Sequence, residues 1–495
     1  MTTASLHGGK WVPRSPTSVD ASSMTRRAMK KNVVLYPSLG VGHLTPMVEL
    51  AKLFLQHGVA VTVAIPEPPV KAPDFSATVA RVAASNPSVA FHVLQAPPQR
   101  SGPTTSSEDT PKHHVIQIFD HLGAMNAPLR DFLSSHLSAV DAFVVDMFCV
   151  DALDVAAKLK LPAYIFYASA AGDLAVFLNI PSVRANMNMS LEEFRGSVLS
   201  VPGAPPFKAS ELPEILKDTD EAAKPVLRTL QRMPESNGIL VNTFESLETR
   251  AVRALSDGLC VPDRATPPVY CIGPLVSGGG GENEQNECLR WLDAQPDRSV
   301  VFLAFGSLGT FPTKQLEEIA IGLEKSGQRF LWVMRSPRSP DQNVDEPLPE
   351  PDLDVLIPDG FLERTKGRGL VIKSWAPQVD VLRHRATGAF VTHCGWNSTL
   401  EGIMSGLPLL CWPLYAEQRM NKVFIVEEIK VGVEMRGYDE EMVTAEEVES
   451  KVRWVMESEG GRALSERALV VKDRAAQALK EGGSSHAAFV EFLKI

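Results

Sequence analysis

The sequence predicts an α/β protein built from two doubly wound, Rossmann-like domains that face each other across a cleft. Two observations lead to this fold class. From residue 32 onward, an apolar run, a glycine-containing turn, a stretch with helical spacing and a second apolar run follow one another. The same alternation recurs in residues 142–166 and restarts in residues 300–334, after a glycine-rich stretch typical of a linker. Because strands that alternate with helices form parallel sheets, each half is expected to be doubly wound.

The elements of the first half follow from apolar periodicity and turn residues. Gly40-Val41-Gly42-His43 separates the first strand from the first helix, for which Thr45 is the predicted cap. The predicted elements are a strand over 32–36, a helix over 46–56, strands over 59–65 and 142–145, a helix near 151–160 and a strand over 163–166. Asp146 follows directly at the end of the strand over 142–145.

The second half repeats this pattern and sets the predicted domain boundaries. Its predicted elements are a strand over 300–305, a helix over 313–326, a strand over 330–334, a Pro- and Asp-rich loop over 336–354 and a helical tail over 462–495. The predicted division is a disordered extension 1–30, a first domain 31–276, a linker 277–285, a second domain 286–470 and a terminal helix 471–495, which is free to return to the first domain.

Composition excludes several classes of partner. The 495 residues include 49 Lys plus Arg against 59 Asp plus Glu, a formal charge of −10, so the chain lacks the basic surface that nucleic acid requires. No apolar run approaches the ~20 residues of a membrane span. The six cysteines form no zinc spacing and are expected to be reduced thiols. We therefore expect a cytoplasmic protein; an organelle transit peptide is the alternative for the first thirty residues, and Met24 or Met29 competes with Met1 as the start.

An anion site is predicted where a buried strand over residues 388–392 runs into His393-Cys394-Gly395-Trp396 and a helix opens at Asn397 or Ser398. The first amides of a helix have no internal partners and its dipole is positive there, which suits a diphosphate. A purely structural alternative is a capping box formed by Ser398 and Glu401.

A longer pattern surrounds this site. Trp375-Ala376-Pro377-Gln378 opens it, residues 393–401 fill the middle, and Pro413-Leu414-Tyr415-Ala416-Glu417-Gln418 closes it. These residues resemble the 44-residue signature box of the plant secondary-product UDP-glycosyltransferases of glycosyltransferase family 1. The resemblance covers nearly the whole chain from Lys31 onward and looks most like flavonoid, chalcone and anthocyanidin O-glucosyltransferases. It implies the GT-B fold, with the acceptor bound by the first domain and the UDP-sugar mainly by the second.

The resemblance also implies the donor contacts. Trp375 stacks on the uracil ring, with Ala376 and Gln378 beside it, and Glu401 accepts hydrogen bonds from the ribose hydroxyls. Glu417 and Gln418 bind the sugar hydroxyls, where glutamine favours glucose over galactose. Trp396 lines the same pocket. The implied diphosphate contacts and remaining donor-site residues are Ser307, His393, Gly395, Asn397, Ser398 and Tyr415.

Catalysis is predicted in the first domain. His43 follows the first strand, and an imidazole there can take the proton of an acceptor hydroxyl near neutral pH. Asp146, at the end of a neighbouring strand, can bind the other ring nitrogen. By itself, the position of His43 favours a structural role, and a helix cap is the alternative for Asp146; within the family pattern, both residues match the catalytic dyad. One displacement then inverts the anomeric configuration. The resemblance implies neither metal nor cofactor, since the UDP-sugar is a co-substrate.

The acceptor and several alternatives stay open in the sequence. Phe119 and Phe148 are candidates to sandwich a planar phenolic ring, and core packing is the alternative for both. A UDP-galactose donor and transfer to a ring carbon are the alternatives for the reaction. A nicotinamide-dependent oxidoreductase is disfavoured, because no third glycine follows Gly40-Val41-Gly42. The expected partners are UDP-glucose and a small hydroxylated aromatic compound, bound by a monomer.

Overall fold

A computed structural model describes residues 31–69, 73–97, 114–186, 191–217, 221–279, 286–339, 342 and 346–494. The predicted disordered extension, residues 1–30, lies outside the described residues, as do residues 280–285 of the predicted linker. The described chain forms two large parallel sheets, each flanked by helices, which confirms the predicted fold class.

The first sheet has seven strands in the order β3-β2-β1-β4-β5-β8-β9, and every neighbouring pair is parallel. This order places β1 beside β4, which brings their carboxyl ends together. The strands of the first half, with β6 and β7 forming a separate antiparallel pair, are β1 (Asn32–Tyr36), β2 (Ala60–Pro66), β3 (Ala90–Leu94), β4 (Ala142–Asp146), β5 (Ala163–Tyr167), β6 (Val198–Leu199), β7 (Phe207–Lys208), β8 (Ile239–Val241) and β9 (Val269–Cys271).

Ten α-helices accompany these strands in the described part of the first half. They are α1 (Val41–Gln56), α2 (Pro73–Ser85), α3 (His114–Ala124), α4 (Asn126–His136), α5 (Ala152–Leu159), α6 (Ala171–Ala185), α7 (Leu191–Gly196), α8 (Glu214–Lys217), α9 (Ala223–Arg232) and α10 (Thr249–Ser256).

The second sheet has six parallel strands in the order β12-β11-β10-β13-β14-β15. Its strands are β10 (Val300–Ala304), β11 (Arg329–Met334), β12 (Gly369–Lys373), β13 (Thr387–Thr392), β14 (Leu409–Cys411) and β15 (Gly432–Glu434). Its helices are α11 (Glu287–Asp293), α12 (Thr313–Ser326), α13 (Leu353–Leu356), α14 (Phe361–Arg364), α15 (Gln378–Arg383), α16 (Trp396–Ser405), α17 (Gln418–Val423), α18 (Ala445–Glu457), α19 (Glu459–Leu479) and α20 (Ser484–Phe492), with a π-helical segment Phe424–Ile429 after α17.

Helix α1 begins earlier than predicted. It starts at Val41 rather than Pro46, and the preceding Gly40 has φ 92° and ψ 157°, a conformation that glycine adopts without strain. Thr45 is therefore inside the helix and is not its cap. Pro46 lies inside the helix and lacks the N–H group that would otherwise bond to the carbonyl oxygen of Gly42, four residues earlier. His43 consequently lies in the first turn of α1, at the carboxyl edge of the first sheet.

The end of the chain returns to the first half. Phe489 and Phe492 of α20 are buried against Phe54 of α1, with ring centroids 5.1 and 5.9 Å away. The preceding helix α19 instead packs on α16 and α18 of the second half. The predicted boundary between residues 470 and 471 is wrong in its position, because it falls inside α19; the crossing takes place between α19 and α20.

Candidate active site

A histidine and an aspartate meet at the carboxyl edge of the first sheet. Nδ1 of His43 lies 2.8 Å from Oδ2 of Asp146, the last residue of β4. Asp146 is fully buried, and its Oδ1 accepts a hydrogen bond from the backbone N–H of Phe148 at 3.0 Å. These contacts hold the carboxylate rigidly and favour the tautomer with the proton on Nδ1. In the described part of the chain, Nε2 of His43 has no hydrogen-bond partner.

The environment of His43 shifts its pKa upward. Burial alone lowers the pKa of His43, but the charge of Asp146, the hydrogen bond to it and the charge of Glu417 outweigh burial. The imidazole is 27% exposed, so a ligand can reach it. The pair therefore has the arrangement of a general base whose protonated form is stabilised by a neighbouring carboxylate.

The predicted anion site lies on the second sheet, after β13. Helix α16 begins at Trp396 with Gly395 as its cap, and no side chain in the described part of the chain caps it, so its first N–H groups can bind a ligand. The capping box considered for Ser398 and Glu401 is wrong, since both residues lie inside the helix. Gln378 contacts both of them: its Nε2 donates to Ser398 Oγ at 2.9 Å and to Glu401 Oε2 at 2.6 Å.

His393 is packed between two glycines beside this helix. A Cβ atom at Gly306 would lie 2.5 Å from His393 Nε2, and one at Gly395 would lie 2.6 Å from it. Burial lowers the pKa of His393 to about 4, so the ring is neutral at physiological pH. Its buried Nδ1 has no partner among the described residues. Ser307, which follows Gly306, is exposed at the same sheet edge.

An exposed aromatic ring and a buried carboxyl group complete this edge of the second sheet. Trp375, two residues after β12, is 63% exposed, an unusual position for a large aromatic side chain unless a ligand covers it. Ala376 beside it is buried. Burial raises the pKa of Glu401 to about 7, although the Gln378 hydrogen bond and the charge of Arg383 lower it.

The two sheet edges are in direct contact. Nδ2 of Asn397, in the first turn of α16, donates to the carbonyl oxygen of Gly42 at 3.2 Å. Gly42 precedes His43, so the imidazole is adjacent to the start of the anion-binding helix although the two are far apart in sequence. This contact brings a base and an anion site to the two walls of one cleft.

Comparisons with known proteins agree with this geometry. A family model described as "UDP-glucoronosyl and UDP-glucosyl transferase" matches residues 267–474. An anthocyanidin 5,3-O-glucosyltransferase from a Rosa hybrid cultivar is 43% identical over 477 residues, covering 94% of this chain and 98% of the relative. A phloretin 2'-O-glucosyltransferase from Pyrus communis is 42% identical, with 93% of this chain and 98% of that protein covered. The chain belongs to the UDP-glycosyltransferase family.

Solved structures support the same assignment. Phytolacca americana UGT2 complexed with UDP-2fluoro-glucose and pterostilbene has a TM-score of 0.81 at 34% identity, covering 94% of this chain and 99% of that one. Medicago truncatula UGT71G1 complexed with UDP-glucose has a TM-score of 0.78 at 30% identity, covering 95% and 99%. This UDP-glycosyltransferase therefore has the GT-B fold of its structural neighbours.

Trp396 does not line an open pocket in this UDP-glycosyltransferase, contrary to the prediction. Its side chain is 2% exposed, and Nε1 donates to the carbonyl oxygen of Asn242, after β8, at 2.8 Å. The indole therefore joins the two domains, and only the backbone of Trp396 faces the anion site. The sequence indicates Asn242 only weakly, as the first polar residue after a buried apolar run.

The loop after β14 holds Gln418 in a role that the sequence does not indicate. Gln418 is 2% exposed, and its Oε1 accepts hydrogen bonds from the backbone N–H groups of Leu414 and Tyr415 at 2.9 and 3.0 Å. The amide oxygen thus shapes the loop that carries Tyr415 and Glu417. Burial raises the pKa of Tyr415 and the Leu308 backbone opposes that rise, so this loop lies close to the residue after Ser307.

The two candidate acceptor residues lie beside His43. Phe148 packs edge-on against the imidazole with ring centroids 5.1 Å apart, and Phe119 packs edge-on against Phe148 at 6.0 Å and 86°. The predicted sandwich is wrong, because perpendicular rings in mutual contact form a corner rather than a parallel-sided slot.

Proposed function

We propose that this UDP-glycosyltransferase transfers glucose from UDP-glucose to a hydroxyl group of a small phenolic acceptor, with inversion at the anomeric carbon. The observation that carries the proposal is the His43–Asp146 pair with its free Nε2, held by the Asn397–Gly42 contact beside the start of α16. The activities of the relatives, an anthocyanidin 5,3-O-glucosyltransferase and a phloretin 2'-O-glucosyltransferase, support the donor and the acceptor class.

The proposed mechanism assigns one proton transfer and one displacement. Nε2 of His43 takes the proton of the acceptor hydroxyl, and Asp146 stabilises the imidazolium through Nδ1–H. The acceptor oxygen attacks the anomeric carbon as the bond to the diphosphate oxygen breaks on the opposite face. UDP leaves with that electron pair, and the free N–H groups of α16 stabilise its charge. In this mechanism the helix amides stabilise the charge of the leaving diphosphate, a role that a metal ion has in other transferases.

We propose donor roles for the second sheet edge on the same basis. The exposed indole of Trp375 is positioned to stack on the uracil ring, and the Glu401 carboxyl group to bind the ribose hydroxyls. Residues after β10 and β13, Ser307 and His393, flank the diphosphate position. Glu417 is the sugar-binding carboxylate, since it lies close enough to His43 to affect the pKa of the imidazole.

The first test is transfer itself, measured with UDP-glucose and a panel of phenols that includes phloretin and an anthocyanidin. We expect an acid-hydrolysable β-glucoside in amounts that EDTA leaves unchanged. His43→Ala should lower kcat about 10²–10⁴-fold, the typical contribution of a general base, with unchanged affinity for UDP. An acid-stable product would instead indicate carbon-linked transfer, and equal rates in wild type and His43→Ala would contradict the mechanism.

The second test concerns the donor sugar. Gln418→His is expected to shift the preference from UDP-glucose toward UDP-galactose, because the changed side chain alters the loop that presents Glu417. Measuring kcat/KM for both donors checks this. An unchanged ratio in a folded variant contradicts the proposed role of Gln418 in sugar selection.

We also propose that the protein is a cytoplasmic monomer. All six cysteines are buried and unpaired, which suits a reducing compartment. Among the described residues, no helix is both long and apolar enough to cross a bilayer. Light scattering of the purified protein tests the monomer, and fluorescence microscopy of a tagged protein tests the compartment.

A further inference from the structure

A buried carboxyl group that the mechanism does not use lies at the domain interface. Asp173, in the first turn of α6, is 0% exposed, and its Oδ1 has no hydrogen-bond partner among the described residues. The start of α6 packs directly on the second half, since a Cβ atom at Gly172 would lie 2.7 Å from the Phe424 ring. An unpaired buried carboxyl oxygen is costly, so its presence at this interface requires a reason.

A serine connects this carboxyl group with the proposed sugar-binding residue. Ser169 Oγ donates to Oδ2 of Asp173 at 2.8 Å, and the same hydroxyl lies close enough to Glu417 in the second domain to lower the pKa of that carboxyl group. A hydroxyl has a single proton, which is used in the bond to Asp173. A hydrogen bond between Ser169 and Glu417 therefore requires a second proton on one of the two carboxyl groups.

The surroundings favour retention of that second proton. Burial raises the pKa of Asp173 well above its usual value, and the nearby charge of Glu417 raises it further. Burial likewise raises the pKa of Glu417. Glu248 also faces Asp173, but its oxygens are engaged by the N–H groups of Ala171 and Gly172. His43 faces Glu417 from α1, and the hydroxyl of Tyr167, unpartnered among the described residues, faces Asp173 from β5.

We propose that Asp173 is a positioning residue for the transferred sugar: through Ser169 it shares one proton with Glu417 and thereby holds the Glu417 side chain, across the domain interface, toward the donor hexose. The inference rests on the proposed function, because it requires Glu417 to contact the sugar. It adds a first-domain residue to donor recognition, which the family resemblance places mainly in the second domain.

Binding of UDP-glucose and of UDP, measured by calorimetry, tests the proposal because UDP lacks the sugar. Asp173→Ala and Ser169→Ala should raise Kd for UDP-glucose roughly tenfold, as expected for one hydrogen bond to a charged group, and leave Kd for UDP within about twofold. Equal changes for both ligands, or none, overturn the proposal. Because Asp173→Ala empties a buried site, the isosteric Asp173→Asn is measured alongside and thermal unfolding verifies that each variant is folded.

Glu211→Gln is the matched control. Glu211 is another first-domain carboxylate at the interface, paired with Lys422 Nζ at 3.1 Å, and Lys422 lies five residues beyond Glu417. If a general loosening of the interface were responsible, Glu211→Gln would reproduce the Asp173 effect. We expect it to leave Kd for UDP-glucose within about twofold of wild type.

The pH dependence of Kd for UDP-glucose shows whether Asp173 acts through a shared proton or only through its packing at the interface. Because both pKa values are raised, the shared proton is lost only as the pH rises through them, after which two buried carboxylates repel. Kd for UDP-glucose should therefore rise at the alkaline end of the titration in wild type and stay flat in Asp173→Asn. Identical profiles overturn the proposal. If wild type neither binds UDP-glucose nor transfers sugar, the proposed function itself has failed, which is a different result.

Discussion

At the residue scale, the protonation state of the His43 imidazole determines activity. Three influences act on the pKa of His43: burial lowers it, whereas Asp146 and Glu417 raise it, and the net shift is upward. A base works only when unprotonated, so activity should be lost as the pH falls through this raised pKa. The carboxylate therefore orients the ring and strengthens the base, but moves its working range to higher pH.

Asp146→Asn tests this balance. Without the charge of Asp146, burial dominates and the pKa of His43 falls, so the acid limb of the kcat/KM profile should move to lower pH. At its plateau, kcat should be about 10²–10⁴-fold lower, because the imidazolium loses its stabilising partner. Asp141→Asn, at the other end of β4, is the control and should leave the limb in place. A limb that moves to higher pH in Asp146→Asn would contradict the assignment.

At the element scale, the loops after β10 and β13 depend on close packing around one ring. Gly306 has φ +76°, a backbone conformation in which a side chain is strained. A Cβ atom there would also lie 2.5 Å from His393 Nε2. Gly327, which ends α12, has a similar φ of +69° but open space around it. Substitution of Gly327 therefore tests the backbone strain alone, whereas substitution of Gly306 also tests the packing around His393 in the donor site.

Alanine at each glycine tests this separation. Gly327→Ala should lose about 1 kcal/mol of stability, since alanine is strained at positive φ, and Gly306→Ala should lose more because its Cβ atom also clashes with His393. Gly306→Ala alone should weaken UDP binding, roughly tenfold, because His393 must move away from the diphosphate position. Calorimetric Kd values and chemical denaturation measure the two effects. Equal UDP affinities in the two variants would show that the His393 packing is irrelevant to the donor.

At the scale of the whole molecule, the last helix joins the two domains. Phe489 of α20 is fully buried, with its ring centroid 4.9 Å from that of His57 at the end of α1. Ser485 Oγ donates to the carbonyl oxygen of Gly273 at 2.5 Å. Since α1 also carries His43, α20 supports the element that positions the base.

Phe489→Ala should therefore destabilise the protein by about 3–5 kcal/mol, the typical cost of emptying an aromatic core site. Glu491→Ala, on the exposed side of the same helix, should change stability by no more than about 0.5 kcal/mol. Denaturant unfolding of both variants provides the comparison. A small loss in Phe489→Ala would mean that α20 is not part of the first domain's core.

The sequence by itself determined the fold class and the residue types of the site. Strand and helix periodicity is local, and the bounds of α12 agree with the prediction to the residue. The start of α1 was predicted five residues late, because helical spacing does not show the backbone freedom of Gly40. The motif residue His393 lies at the end of its predicted strand for the same local reason, whereas the strand before Trp375, β12, was not predicted.

Only the tertiary structure decided which side chains meet. The contact of Asn397 with Gly42, the burial of Trp396 against Asn242 and the Ser169–Asp173–Glu417 cluster all join segments that are distant in the chain. Their formation depends on how two separately folding sheets pack, and local periodicity has no information about that packing. For the same reason, Gln418 and the two acceptor-side phenylalanines were identified by residue but not by geometry.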